Sequence, residues 1–376
     1  MHSAPYEIKI RADSGEASKE HSFRSAPGIS RPETALREEI MLLKAADIET
    51  TSSVLVIDSR IGIEGVVIGD RARNGRVMMT SSRTRETLLS ELNRKRNDPE
   101  ASTEVMLTSN ISKDSLRKYE RAVYAPRDKD PLYLVKQKMV EASQVLRDSG
   151  ILYISSSSKV ASKLKDFASE FGEVRETVEN GVSVLEITVE EASTENVVEE
   201  SRLQHSIKGE KAKFKALKGL FTGNDMNRVE MLSREISSGK GKLLDASCGF
   251  GLVGIFASKL YGYDVDFTDR DRYMTDYTEN NASLNNLEDF EAFTEDGVEN
   301  FPSMKYDVIT YQVSEGFDSK VFRQDMRDCF KALKKGGELF VAHRKDFRPE
   351  GTLRTVFGNC DVRRREFDFQ VSSAEK

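Results

Sequence analysis

Three carboxylates and two glycines in the second half of this chain have the types and spacing to hold a nucleotide-like ligand. In Leu243-Leu244-Asp245-Ala246-Ser247-Cys248-Gly249-Phe250-Gly251, two apolar residues run into an acid and then a turn of small residues. An apolar, helix-compatible run from Leu252 to Leu260 follows. Strand, tight glycine-rich turn and helix is how α/β sheets seat such ligands. Gly249 and Gly251 lack a Cβ, so backbone N–H groups there can approach a ligand closely. Asp245 can hold the turn and reach a ligand ammonium; a plain turn cap is compatible with that role. Asp269 falls at the end of the next strand, where a carboxylate accepts from ribose hydroxyls. Its plain alternative is an N-cap for a helix over Arg272 to Leu284. Asp296, in Glu295-Asp296-Gly297, follows the third strand and can accept from an adenine amine, although Asp-Gly is also a common turn pair.

Taken literally, Gly249-x-Gly251-x-x-Gly254 with Asp269 about 20 residues on is a dinucleotide fingerprint. The frame differs. That fingerprint puts its first glycine almost at the strand end, where Ser247 stands. An acid at the strand end followed by a late Gly-x-Gly resembles motif I of class I S-adenosylmethionine (SAM) methyltransferases. Ser247 is counted with this turn as a ligand contact. A dinucleotide site and a ligand-free turn remain the alternatives.

Lys305 to Tyr311 reads as the fourth strand, and chemistry belongs beyond its carboxyl end. Tyr311 can stack on a base, Gln312 can accept from an amine, and Glu315 can serve as a base. Read plainly, the same loop does no chemistry. Methyl transfer asks for a nucleophile placed in line about 3 Å from the methyl, and somewhere for its proton to go. Nothing calls for a metal.

The 376 residues suggest two to three domains. A formal charge of −6 makes nucleic-acid binding a matter of local basic patches. Three scattered cysteines argue against a disulfide scaffold or zinc site and for a reducing compartment. No apolar run has membrane-span length, and Met1-His2-Ser3 predicts no export signal, so a cytoplasmic protein is expected. Residues 1–22 are polar and predict a short strand at best, or a disordered tail. From Phe23, strands (Ser53–Ile57, Arg76–Met79, Val105–Leu107, Ala122–Tyr124, Ile151–Ile154) alternate with helical patterns (Glu33–Ala46, Arg83–Asn97, Pro131–Arg147), which predicts a parallel α/β sheet.

The second half repeats the first. A slide of 187 residues puts Asp58 on Asp245, Gly62 on Gly249, Lys118-Tyr119-Glu120 on Lys305-Tyr306-Asp307, Tyr124 on Tyr311, Met139 on Met326 and Gly150 on Gly337. In that register Glu64 faces Gly251, Ser82 faces Asp269 and Ser109 faces Asp296. The first copy thus lacks the groups a SAM site needs. The prediction is an internal duplication: two tandem Rossmann-like class I methyltransferase domains. A degenerate domain without cofactor spans 23–190, a linker 191–208, and a SAM-binding domain 209–376.

The layout, the degenerate first copy and the segment Phe214-Lys-Ala-Leu-Lys-Gly-Leu-Phe221-Thr-Gly223 resemble the tandem-domain ribosomal RNA guanine-N2 methyltransferases. Ala125-Pro126-Arg127-Asp128-Lys129 looks like that family's first-domain stretch, and Lys334-Lys335-Gly336-Gly337-Glu338-Leu339 has the look of methyltransferases in general. The resemblance implies SAM in the C-terminal domain and an RNA substrate. Asp245, Gly249, Gly251, Asp269 and Asp296 would contact SAM, with Phe221 and Gly223 near its methionine end. The sequence departs where the family carries Asn-Pro-Pro-Phe; Tyr311-Gln312-Val313-Ser314 is aligned there. Candidate RNA contacts are Lys208, Lys211, Lys213, Lys215 and Lys218, then Arg344-Lys345 with Arg348, and Arg363-Arg364-Arg365. A solvated charged face is the plain alternative. Phe367 and Phe369, at strand spacing, are expected in the core. The leading reading is SAM-dependent methylation of RNA. The alternatives are a methyltransferase of a small molecule or protein, a retired RNA-binding module, and a nicotinamide enzyme.

Overall fold

The computed structural model describes residues 6–13, 18–127, 129–220, 223–236, 241–314 and 317–376. The chain divides into two compact units, Met1–Val198 and Glu199–Lys376. The first contains β1 (Tyr6–Asp13), β2 (Ser18–Ser25), α1 (Arg37–Ala45), β3 (Ser53–Ile57), α2 (Ile63–Arg71), β4 (Arg76–Ser81), α3 (Thr84–Asn97), β5 (Ser102–Leu107), α4 (Ile111–Asp114), β6 (Tyr119–Tyr124), α5 (Leu132–Val145), β7 (Leu146–Ser157), α6 (Ser158–Ala168), β8 (Gly172–Glu179) and β9 (Val182–Val189). The second contains β10 (Glu200–Ile207), β11 (Glu210–Leu217), α7 (Gly223–Glu235), β12 (Lys242–Ala246), α8 (Leu252–Tyr261), β13 (Asp264–Asp269), α9 (Arg272–Leu284), β14 (Phe290–Thr294), β15 (Tyr306–Gln312), α10 (Ser319–Ala332), β16 (Leu333–Arg344), α11 (Glu350–Phe357), β17 (Asp361–Glu366) and β18 (Phe369–Glu375).

Each unit builds one seven-stranded sheet, in the orders β5-β4-β3-β6-β7-β9-β8 and β14-β13-β12-β15-β16-β18-β17. In each, the first five strands of that order are parallel and the last two pair antiparallel. Residues of β3 are all buried, with Val54 and Val56 in one core and Leu55 and Ile57 in another. A strand covered on both faces suits a parallel sheet. In the second unit the strand order reverses between β12 and β15, which opens a crevice beyond their carboxyl ends.

Each sheet is preceded by a hairpin, and here the structure corrects the sequence reading. Residues 6–25 include the paired strands β1 and β2 rather than one short strand or a tail. Ile8, Ile10 and Phe23 bury one face of that hairpin while charged residues alternate on the other. Glu200–Ile207, placed in the linker, is likewise a strand, paired with β11. Both hairpins are sewn to the unit by asparagines on one helix. Asn281 accepts from the Lys215 N–H and donates to the carbonyls of Lys215 and Phe250; Asn285 brackets Lys213 in the same way. Asn93 and Asn97 repeat this on Arg24, Ile61 and Ser22.

The gapless register also needs correcting at the glycine-rich turn. Gly62 (φ 85°) caps α2 as Gly251 (φ 77°) caps α8. The Ser59 N–H donates to the Thr80 carbonyl at 2.8 Å, as the Cys248 N–H does to Thr268 at 3.0 Å. Gly251 therefore faces Gly62, not Glu64. Gly249 faces Arg60, Asp245 faces Val56, and Asp269 faces Ser81 rather than Ser82. The 187-residue offset returns at the ends of β5 and β14, where Leu107 and Thr294 pair with Ser81 and Asp269, and holds where Tyr119 and Tyr306 open β6 and β15.

Asn281 is fully buried. Asn281→Ala leaves its partners without a bond and is expected to cost about 2 kcal/mol. A lower urea midpoint at unchanged m-value checks this.

Candidate active site

Beyond β12 the backbone turns sharply. Ser247 (φ 60°), Gly249 (φ 57°) and Gly251 (φ 77°) all occupy the left-handed region. The two glycines serve different ends. A Cβ on Gly251 would meet Thr278 Cγ2 of α9 at 2.8 Å, whereas one on Gly249 would meet nothing within 4 Å. Gly251, shared with Gly62 of the first unit, is a packing requirement of the fold. Gly249 leaves open space at the mouth of the crevice.

Asp245 lies beneath the turn and is fully buried. Its oxygens accept from the Gly254 N–H and the Thr310 hydroxyl, both at 2.9 Å. It therefore ties the first turn of α8 to β15 and does not face a ligand ammonium. Burial pushes its carboxyl up to about 7. Asp269 sits half-buried at the end of β13, accepting from the Gly249 N–H at 3.0 Å and the Asp271 N–H at 3.1 Å. Burial raises its carboxyl to about 6. The cap of α9 is Asp271, whose side chain accepts from the Tyr273 N–H, so the capping alternative for Asp269 falls.

Asp296 accepts from Arg270 Nε at 2.9 Å. Arg270 Nη2 also reaches both oxygens of Asp325, at 2.7 and 2.9 Å, and the Tyr311 hydroxyl donates to Asp325. Gly297 (φ 95°) packs over this pair, for a Cβ there would meet Asp325 Oδ1 at 2.7 Å and Arg270 Nη2 at 2.9 Å. A buried polar chain thus runs from the end of the third strand to beneath the fourth. Sequence reasoning missed Arg270 and Asp325. The signal was an acid, Asp325, among the residues that α10 buries.

Tyr311 belongs to that chain and to the core. It is 1% exposed, and its ring packs edge-on against Phe317 and Phe322. It presents no face to a base, which corrects the stacking role expected of it. Gln312, the last residue of β15, is half-buried and shares the strand face of Thr310. The next carbonyl, that of Val313, accepts from Arg228 of α7 at 2.7 Å. Gly223 opens α7. Phe221 and Glu315 lie outside the described residues. Among the described residues, no group of three or more His, Cys, Asp and Glu is arranged to hold a metal. No helix among them is long and apolar enough to cross a membrane.

The equivalent turn of the first unit is filled by its own side chains. Arg60, where Gly249 stands in the second unit, is buried. It bonds Glu39 at 2.9 and 3.0 Å and the carbonyls of Ser30, Arg31 and Thr34 at 2.8 to 3.1 Å. Ser81, where Asp269 stands, donates to Glu86, which is itself paired with Arg127. Glu64 is buried nearby, and burial pushes its carboxyl up to about 8.

Residues 211–373 match the family model of the methyltransferase small domain. Ribosomal RNA small subunit methyltransferase C of Pseudomonas syringae pv. syringae is 25% identical over 167 residues, covering 43% of this chain and 50% of that protein. The match therefore spans about half the length of this curated relative. Among solved structures, the T. thermophilus 16S rRNA N2 G1207 methyltransferase (RsmC), in complex with AdoMet and guanosine, shares the fold. Its TM-score is 0.76 at 16% identity, over 98% of each chain. The second unit is a methyltransferase small domain with a Rossmann-like sheet, in the class whose cofactor is SAM. The match to the domain family is confined to the second unit, while the tandem fold is shared with the T. thermophilus enzyme along the whole chain.

Asp245→Ala strands the Gly254 N–H and the Thr310 hydroxyl and should cost about 2 kcal/mol of stability, read from denaturant midpoints. Its raised carboxyl means that the native state keeps a proton which the unfolded chain releases between about pH 4 and pH 7. That share of stability is present at low pH and lost as pH rises. Asp245→Asn should flatten the slope in a pH series of melting temperatures.

Proposed function

We propose that the second unit binds SAM and transfers its methyl to an exocyclic amine of ribosomal RNA, with guanine N2 the favoured acceptor. The observation that carries this is the contrast between the two turns. The second unit's turn is open at Gly249, left-handed and with Asp269 beside it, whereas the first unit has the buried side chain of Arg60 at the equivalent position. Open space at Gly249 and two half-buried carboxylates beyond the strand ends suit an adenosine-bearing ligand. SAM supplies an electrophilic methyl on a sulfonium. Asp269 accepts from its ribose hydroxyls and Asp296 from its adenine amine. Ser247 and Gly249 present backbone at close range, and Phe221 and Gly223 lie toward the methionine end. Asp245 and Gly251 act as positioning residues for the turn. Gln312 accepts from the substrate amine, and Glu315 receives the proton. Tyr311, through Asp325 and Arg270, holds Asp296 in place. The first unit, its turn closed, serves as a scaffold or substrate-recognition domain without cofactor.

RNA contact is supported by the hairpin β10–β11. Its outer face sets Arg202 opposite Lys215, Gln204 opposite Lys213 and Ser206 opposite Lys211. Directly opposed like charges disfavour a hairpin. The equivalent face of β1–β2 is balanced, with Glu7 opposite Arg24 and Arg11 opposite Glu20. With Glu200 beside Lys215 as the one acid among these outward residues, the face in the methyltransferase unit is predominantly basic and suits phosphates, which fix register without reading sequence.

Transfer of tritiated methyl from SAM onto unmodified small-subunit ribosomal RNA, with nucleoside analysis, tests the reading. N2-methylguanosine is expected; label on proteins or small molecules alone would contradict it. Gln312→Ala should lower kcat about a hundredfold with KM for SAM unchanged. Protonation of Asp269 near pH 6 removes an acceptor, so SAM affinity should fall as pH drops through about 6 and level off above it. Asp269→Asn should abolish that dependence. Lys211→Ala with Lys213→Ala should reduce the slope of log affinity for RNA against log salt by about 1.4.

A further inference from the structure

The turn between β17 and β18 is built against both packing and backbone preference. Phe367 is 76% exposed and has a φ of 47°. A left-handed φ is an outlier for a bulky residue, and an exposed phenyl ring forfeits burial. Phe369, by contrast, is in the core as the strand spacing predicts. The first unit shares the left-handed φ at this position but fills it with a residue that tolerates it. At the equivalent turn, between β8 and β9, Asn180 (φ 51°) and Gly181 (φ 80°) take the two positions. Asn-Gly is the pair that two-residue hairpin turns favour. The second unit puts Phe367 and Asp368 there instead.

The location ties this turn to the crevice. β16 runs parallel to β15, and its last residue, Arg344, pairs with Phe369. The Lys345 N–H donates to the Asp368 carbonyl at 2.9 Å, and Lys345 Nζ donates to the Phe367 carbonyl. The tip thus stands beyond the carboxyl edge of the sheet. It lies on the β15–β16 side of the switch point, across from the glycine-rich turn. Two strand spacings, about 10 Å, separate β18 from β15. Exposed cations accompany it: Lys345 and Arg348 in the segment after β16, and Arg365 on β17. Arg363 and Arg364 are tied to Glu338, Glu235 and Glu366, whereas Arg365 rests on the neutral Gln370.

We propose that Phe367 is a base-stacking contact for the RNA substrate. Its ring lies on a nucleobase near the one entering the crevice, while Lys345, Arg348 and Arg365 meet the adjoining phosphates. An aromatic face accepts any base, and cations beside it track the backbone. This rests on the RNA reading of the second unit.

The chain has no tryptophan, so Phe367→Trp installs a lone fluorophore that can still stack. Saturable quenching of its emission by a single-stranded 20-nucleotide oligoadenylate is expected. The double variant Phe367→Asn, Asp368→Gly grafts the first unit's turn. It should melt no lower than wild type and bind SAM equally well. Its affinity for the oligoadenylate, by anisotropy, should fall roughly tenfold, with a higher KM for ribosomal RNA at unchanged kcat. Unchanged tryptophan emission at saturation, or wild-type RNA affinity in the graft, overturns the inference while leaving the RNA reading intact. A defect seen on assembled ribosomal subunits but not on naked RNA would mean that the tip meets a protein, and would also overturn it. If wild type neither binds the oligoadenylate nor methylates ribosomal RNA, the RNA reading fails and the inference falls with it.

Discussion

One buried carboxylate holds the crevice in shape. Asp245, at the end of β12, accepts from the first turn of α8 and from a hydroxyl of β15, the strand across the reversal in strand order. Those bonds leave Ser247 to Gly251 arched over the strand end, with the Gly249 N–H fastened to Asp269. The first unit turns at the same place over an apolar Val56, left-handed at Asp58 and Gly62 as the second is at Ser247 and Gly251, but without a left-handed residue at Arg60 or an acid beneath. The arch is a property of the fold; what lies under and beside it decides whether the crevice is usable.

The duplication lets each functional feature be weighed against its twin. Asn281 and Asn285 recur as Asn93 and Asn97, and Gly251 recurs as Gly62, so these belong to architecture. Gly249, Asp269 and Asp296 recur as Arg60, Ser81 and Ser109, so these belong to one unit only. The basic hairpin face and the Phe367 turn fall on the same side of this division. Strain that the twin avoids lies at the carboxyl edge of the second sheet, and charge that the twin balances lies on the hairpin before it.

The sheets were legible in the sequence because β-branched runs and turn signals alternate with helical periods, and Ser53–Ile57 was placed to the residue. The two hairpins were missed because only every second residue is apolar and the intervening charges dominate the composition. The slip of two residues at the turn was hidden by an acid-to-acid match between Asp58 and Asp245. Backbone hydrogen bonds, not side-chain identity, fix that register. Tyr311 looked available because strand ends usually are; the partner that buries its hydroxyl, Asp325, lies on α10. Arg270 was passed over as one more charge in Asp-Arg-Asp-Arg. Long-range polar pairs of this kind leave little trace in local pattern.

The central claim is that two like folds have unlike crevices, one open and one plugged. Calorimetric titration of SAM into the full chain tests it most directly. Saturation at one site per chain, lost on substituting Asp269 by alanine and indifferent to substituting Ser81 by alanine, is the predicted result. Two sites per chain would contradict the reading of Arg60 as a plug. No binding by folded protein would contradict the reading of the second crevice as a cofactor site.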